Sequence, residues 1–172
     1  MNIIEDNVKI GKGTRVWEYT KIRVSAVIGD NCNIGNHVFI GEGAIIGDNV
    51  KIANGVNIYR GTIIKSNVFI GNNVSFTNVR YPRAWRKAKE FETTIVEDNV
   101  TIGANAVIMA GIKIGSDSTI GEGAVVVHNV SQGGFVVSPK AECICDREEC
   151  LECSKRKEKK RIKHLKLINK HA

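Results

Sequence analysis

The chain has 172 residues, of which 42% are apolar but only 6% aromatic, enough for one ordinary domain whose core lacks large rings. Formal net charge is +7, yet residues 154–172 hold nine Lys/Arg against Glu158 alone, so residues 1–153 are near neutral. A nucleic-acid-binding body is therefore not expected, and nothing approaches the roughly 18 apolar residues of a membrane-spanning helix.

Ile and Val number 23 and 19, against three Leu, all beyond residue 150. β-branched residues favour strands, so residues 1–140 read as all-β. The start, Met1-Asn2-Ile3-Ile4-Glu5-Asp6, has no basic region and no apolar stretch, and a cytoplasmic location is expected.

From Ile4 the chain keeps a period of six. Ile10, Val16, Ile22, Ile28, Ile34, Ile40, Ile46, Ile52, Ile58, Ile64, Ile70 and Phe76 follow without a break. Two residues before each stands a small or β-branched residue, such as Ala26, Cys32, Ala44 or Thr62. Gly11, Gly29, Gly35, Gly41, Gly47 and Gly71 come directly after. The period breaks over residues 77–93 and resumes two residues out of phase at Val96, Ile102, Ile108, Ile114, Ile120 and Val126.

Six residues are too few for a helical unit but enough for one short strand and one corner. Alternation of strand side chains points the Ile and its small partner inward. Gly and Asn suit the corners. Three strands would close one coil, and coils would stack roughly 4.8 Å apart through parallel ladders. Nineteen hexads predict about six coils.

This pattern resembles the hexapeptide-repeat acyltransferases. The resemblance, carried by residues 1–137, implies a left-handed parallel β-helix; the hand comes from the resemblance and not from the spacing. Such proteins include acetyltransferases, γ-type carbonic anhydrases and non-enzymatic subunits, so the fold alone selects no activity. The expected organisation is a β-helix domain over 1–140 with one long loop at 77–93, then a Cys-rich, basic, helical tail over 141–172.

Three stretches narrow the reading: Trp17-Glu18-Tyr19-Thr20, the run Asn54 to Arg60, and Phe76-Thr77-Asn78 opening the long loop. Together they resemble the N-acetyltransferases of nucleotide-linked 3-amino sugars. The subgroup acting on UDP-2-acetamido-3-amino-2,3-dideoxy-glucuronate in surface-glycan pathways is the expected match. A dTDP-linked 3-amino sugar, a 4-amino sugar and a non-catalytic assembly subunit are the alternatives. The resemblance implies acetyl-CoA as cosubstrate, a homotrimer, and no nucleic-acid or membrane partner.

Acetyl transfer to an amine needs a neutral nucleophile and donors to a developing oxyanion. Relatives with a hydroxyl acceptor carry His where this chain has Asn78. Asn cannot act as a base at neutral pH, but its amide can orient an amine or donate a hydrogen bond. The resemblance places Asn78 beside the reacting amine as the catalytic residue. The loop cations Arg80 and Arg83, with Tyr81, are candidates for binding a diphosphate or a sugar carboxylate. Glu42, Asn54, Tyr59 and Arg60, on the coils before the loop, complete the candidate sugar site; each is equally legible as a corner residue. His37 reads as a solvent-facing turn residue, and two His within the repeat (His37 and His128) are too few for a three-His zinc site.

For acetyl-CoA, the resemblance points to backbone groups at Gly103, Ala104 and Gly121. Family members close the last coil with Gly-Asn-Pro-Ala, whereas this chain has Ser138-Pro139-Lys140-Ala141. Lys140 is the candidate for a CoA phosphate. Cys143, Cys145, Cys150 and Cys153 crowd four thiols into eleven residues, a pattern for one structural Zn²⁺ or for four free thiols.

Overall fold

A computed structural model describes residues 1–85 and 90–138. The expected tail over 141–172 lies outside the described residues.

Among the described residues twenty strands, nearly all of two residues, form three parallel ladders holding seven, six and seven strands. The first three, Ile3–Ile4, Lys9–Ile10 and Arg15–Val16, each begin one ladder. We term the corresponding faces A, B and C. Ladder partners lie one coil apart: Ile22 beside Ile40, Ile28 beside Ile46, Ile34 beside Ile52. The architecture is all-β and consistent with the left-handed β-helix that the resemblance implies. It reaches nearly seven turns instead of six because the strand Phe135–Val136, outside the regular hexads, adds to face C.

The inward Ile and their small partners make one continuous core. Ile22, Ile34, Ile40, Ile58 and Ile70 are fully buried, and Phe76 is the largest buried side chain. Burying each contributes roughly 2–3 kcal/mol. Polar residues at small inward positions have partners: the Thr20 hydroxyl donates to the Gly35 carbonyl at 2.8 Å. At the open N-terminal end the same inward positions face water, with Ile4 49% exposed.

Every coil turns through a residue with positive φ, supplied mostly by Gly, Asn and Asp. The three corners differ in their side chains. Along the B–C corner a chain of caps runs between coils: the Lys12 N–H donates to Asp30 Oδ1 at 2.7 Å, Asp30 N–H to Asp48 at 2.7 Å, Asp48 N–H to Ser66 at 3.1 Å, and Ser66 N–H to Asp98 at 2.9 Å. That corner is occupied with holding itself together.

The long loop leaves the A–B corner. Before it, ladder partners are 18 residues apart; across it, Thr62 pairs Thr94 and Ile70 pairs Ile102, 32 apart. The ladder resumes in register past the loop on all three faces, Phe76 pairing Ile108 on face A.

Candidate functional site

Register decides which candidate residues meet. Asn57 pairs Ser75, and Phe76 pairs Ile108. Two residues beyond each strand end, Glu42, Arg60, Asn78 and Ala110 therefore fall in one column along the A–B corner. Glu92, where the loop returns, enters the same corner from the face B side, one coil past Arg60 by the Thr62–Thr94 pairing and so on the coil of Asn78.

Asn78 is half-buried, and its carboxamide makes no hydrogen bond among the described residues. Its neighbour Thr77 is fixed: the Thr77 hydroxyl accepts from the Ala110 N–H at 2.9 Å, and the Thr77 N–H donates to the Ile108 carbonyl at 2.9 Å. Thus the backbone of Asn78 is held by the ladder while its amide stays free for a ligand. A carboxylate at this corner on the Asn78 coil is Glu92, which faces Arg80.

Arg60 lies one coil before Asn78, and its charge is already engaged. Its Nη1 sits 3.4 Å from Glu42 Oε1, and its guanidinium lies 5.2 Å from the Phe91 ring centroid. It thereby joins an earlier coil, its own coil and the returning limb of the loop. Arg80 and Glu92 face each other at 4.0 Å across the loop's mouth. Arg83 turns back to the carbonyl of its neighbour Pro82 at 2.9 Å, and Tyr81 is 77% exposed. A groove along the corner is lined by Ser25, Glu42, Gly43, Arg60, Gly61, Glu90 and Phe91. Two other concavities line the last coils, around Lys113 and Gln132 and around Val125 and Phe135; the second includes His128, and neither touches a candidate site residue.

Tyr59 lies on face A beside this corner and packs against Phe39, with ring centroids 5.3 Å apart. Asn54 is elsewhere: it lies on the C–A corner, at the opposite end of the strand Asn57–Ile58 from Arg60. Its Oδ1 accepts from the Asn36 N–H at 2.8 Å, so it caps the coil before it.

Gly103, Ala104 and Gly121 also lie toward the C–A corner, past the loop. The Gly103 N–H is spent on the Ile120 carbonyl at 2.7 Å, and the Gly121 N–H on Val136 at 2.6 Å. A Cβ on Gly103 would stand 2.6 Å from the Glu122 nitrogen, so this glycine is required by the touching coils. The Ala104 N–H has no partner among the described residues and suits a ligand carbonyl, as the amides of a pantetheine chain would offer. Lys140 and the cluster Cys143, Cys145, Cys150 and Cys153 lie outside the described residues. Among the described residues no three metal-ligating side chains gather.

Phe91, Glu92 and Phe39 went unread in the sequence. The first two are the last aromatic and acid before the period restarts, a position that marks the loop's return. Phe39 occupies an outward strand position that gives no signal by itself.

A model of the family described as "Bacterial transferase hexapeptide (six repeats)" matches residues 7–42, 25–60, 43–78 and 93–128. The dTDP-3-amino-3,6-dideoxy-alpha-D-galactopyranose 3-N-acetyltransferase of Aneurinibacillus thermoaerophilus is 46% identical over 167 residues, 90% of this chain and 87% of that protein. A 2,3,4,5-tetrahydropyridine-2,6-dicarboxylate N-acetyltransferase of Clostridium perfringens is 47% identical over 55 residues, 32% of this chain and 23% of that one. Among solved structures, a GDP-perosamine N-acetyl transferase from Caulobacter crescentus, in complex with CoA and GDP-perosamine, matches with a TM-score of 0.57 at 16% identity. That match covers 84% of this chain and 54% of the other, so this chain spans about half its length. The polySia specific acetyltransferase NeuO matches with a TM-score of 0.52 at 17% identity, covering 94% of each chain. At these identities the structural likeness is one of fold.

Proposed function

Because the chain belongs to the bacterial transferase hexapeptide family and is an acetyl-CoA-dependent acetyltransferase, we propose that it acetylates the 3-amino group of a nucleotide-linked sugar for surface-glycan synthesis. The observation that carries this reading is Asn78: a half-buried carboxamide with no hydrogen-bond partner among the described residues, standing where the long loop leaves the corner and where relatives with a hydroxyl acceptor carry a His. A hydroxyl acceptor would need a base there, whereas a sugar amine is partly neutral near pH 7. The amide orients the amine or donates to the oxyanion that develops on the acyl carbon. Acetyl-CoA, when bound, supplies the activated acetyl thioester; the Ala104 N–H is the donor this chain offers to its pantetheine arm.

Which sugar is acetylated is a finer question. The sequence led to the UDP-linked uronate, which carries a carboxylate. Among the described cations beside this corner, Arg60 is engaged by Glu42 and Phe91, and Arg80 by Glu92. Neither is a free clamp for a carboxylate. The 46% identical relative acts, by its name, on a dTDP-linked 3-amino-3,6-dideoxy sugar, which has none. Both points favour a dTDP-3-amino-3,6-dideoxyhexose over the UDP uronate. We also propose a homotrimer, in which a second subunit supplies the other wall of the acetyl-CoA groove, and a cytoplasmic location, where acetyl-CoA is available. A structural zinc in the tail cysteines stays a separate proposal, testable by elemental analysis.

The deciding assay is CoA release from acetyl-CoA with a panel of dTDP- and UDP-linked amino sugars. Turnover with a dTDP-3-amino sugar and little with the UDP-3-amino uronate is expected. The reverse preference would restore the uronate, and turnover with none would overturn the acceptor class.

A further inference from the structure

One aromatic residue breaks the local rule of the corners. Among the described residues eleven non-glycine residues have positive φ, and all but two of them, Tyr19 and Ser25, are Asn, Asp or His. Of these two, Tyr19 stands at φ 60° and is the bulky one. His is tolerated in this region alongside Asn and Asp, whereas a Tyr there is uncommon. Tyr19 and His37 occupy neighbouring coils of the C–A corner, and their rings stack with centroids 5.0 Å apart and planes within 8°. Tyr19 remains 62% exposed. The stack therefore serves no core, and Asn at position 19 would suit the backbone better.

The pair also continues into other rings. From His37 the chain runs along face A through Phe39 to Glu42 on the A–B corner. Phe39 meets Tyr59 there, so rings line the outer surface between the two corners. Five residues at about 3.3 Å each cross the face, and two ladder steps of roughly 4.8 Å each separate Glu42 from Asn78, so the path to Asn78 spans roughly 19 Å, about the length of a fully extended nucleoside diphosphate sugar.

We propose that the Tyr19–His37 stack is a subsite for the base of the nucleotide-linked acceptor, with the sugar directed across Phe39 and Tyr59 toward the Asn78 corner. It rests on the nucleotide-sugar reading above. A stacked ring with an open face binds a flat base of any identity, because every base has a π-face. The subsite therefore holds the nucleotide without choosing between thymine and uracil, and choice of sugar falls to the Asn78 corner.

The test uses dTDP and UDP alone, titrated calorimetrically into the full chain and its Tyr19→Asn and Tyr19→Phe variants, with thermal melting of each. Tyr19→Asn should weaken dTDP binding about tenfold or more while Tyr19→Phe stays near wild type. The melting temperature of Tyr19→Asn should hold or rise, because Asn suits positive φ. A stack with only a structural role would lower melting and leave binding unchanged, and that result overturns the subsite. If Tyr19→Asn melts lower and binds more weakly together, the same comparison with His37→Asn decides: unchanged dTDP affinity there overturns the proposal. Wild-type protein that binds neither dTDP nor UDP would overturn the nucleotide-sugar reading itself, and the subsite with it. Binding that persists in all variants would overturn the subsite alone.

Discussion

Asn78 carries the chemistry if its amide acts mainly in the transition state. Asn78→Ala should then lower kcat about a hundredfold with little change in the KM for the sugar, as for loss of one oxyanion donor. Steady-state kinetics on the folded variant check this, and an unchanged kcat would remove Asn78 from catalysis. Arg60→Lys keeps a charge for Glu42 but loses the flat face presented to Phe91. A stacked cation of this kind at an exposed site contributes little, so the KM for the sugar should rise only about threefold. Cys32 behaves differently from both. Burial, the largest cause, pushes its thiol above the usual range, and its Sγ donates to the Gly47 carbonyl at 3.1 Å. Because the folded pKa is raised, the neutral thiol's contribution to stability is full below the unfolded value of 9.0 and fades as pH rises past it. Alkylation at pH 8 should be slow in the native protein and fast in denaturant. Asn78 stands out in the sequence as a candidate because one residue type in one place would separate amine from hydroxyl chemistry. The engagement of Arg60 does not, since its partners come from an earlier coil and from a loop whose return no periodicity describes.

At the scale of the strand and corner, the hexad reads almost directly as structure. Spacing fixes which side chains point inward, and the buried Ile column follows it from Ile22 to Ile120. What spacing leaves open is which corner does which work. Glu42, Arg60 and Asn78 proved to share a corner, whereas Asn54 caps the C–A corner. That division depends on three-fold register, which appears only once the coils are closed. The corner caps also make a test. Asp48 both accepts from the Asp30 N–H and donates its own N–H to Ser66. Asp48→Ala should lower stability by about 1 kcal/mol in chemical denaturation, leaving acetyl transfer unchanged.

For the whole molecule, each coil touches only the coils beside it, so stability accumulates along the stack. The loop level is the one place where partners are 32 residues apart instead of 18. Loop-closure entropy grows only with the logarithm of length, so the longer excursion costs about 0.5 kcal/mol at that step. Folding that spreads coil by coil should therefore cross this level with scarcely a pause, as one zipper and not two. Replacing residues 79–91 with a short Gly-Asn turn should leave a single unfolding transition near the wild-type midpoint while abolishing acetyl transfer. The corner after Phe76 thus works as a socket: the length and content of what is plugged into it can change with no message passed to the ladder beneath.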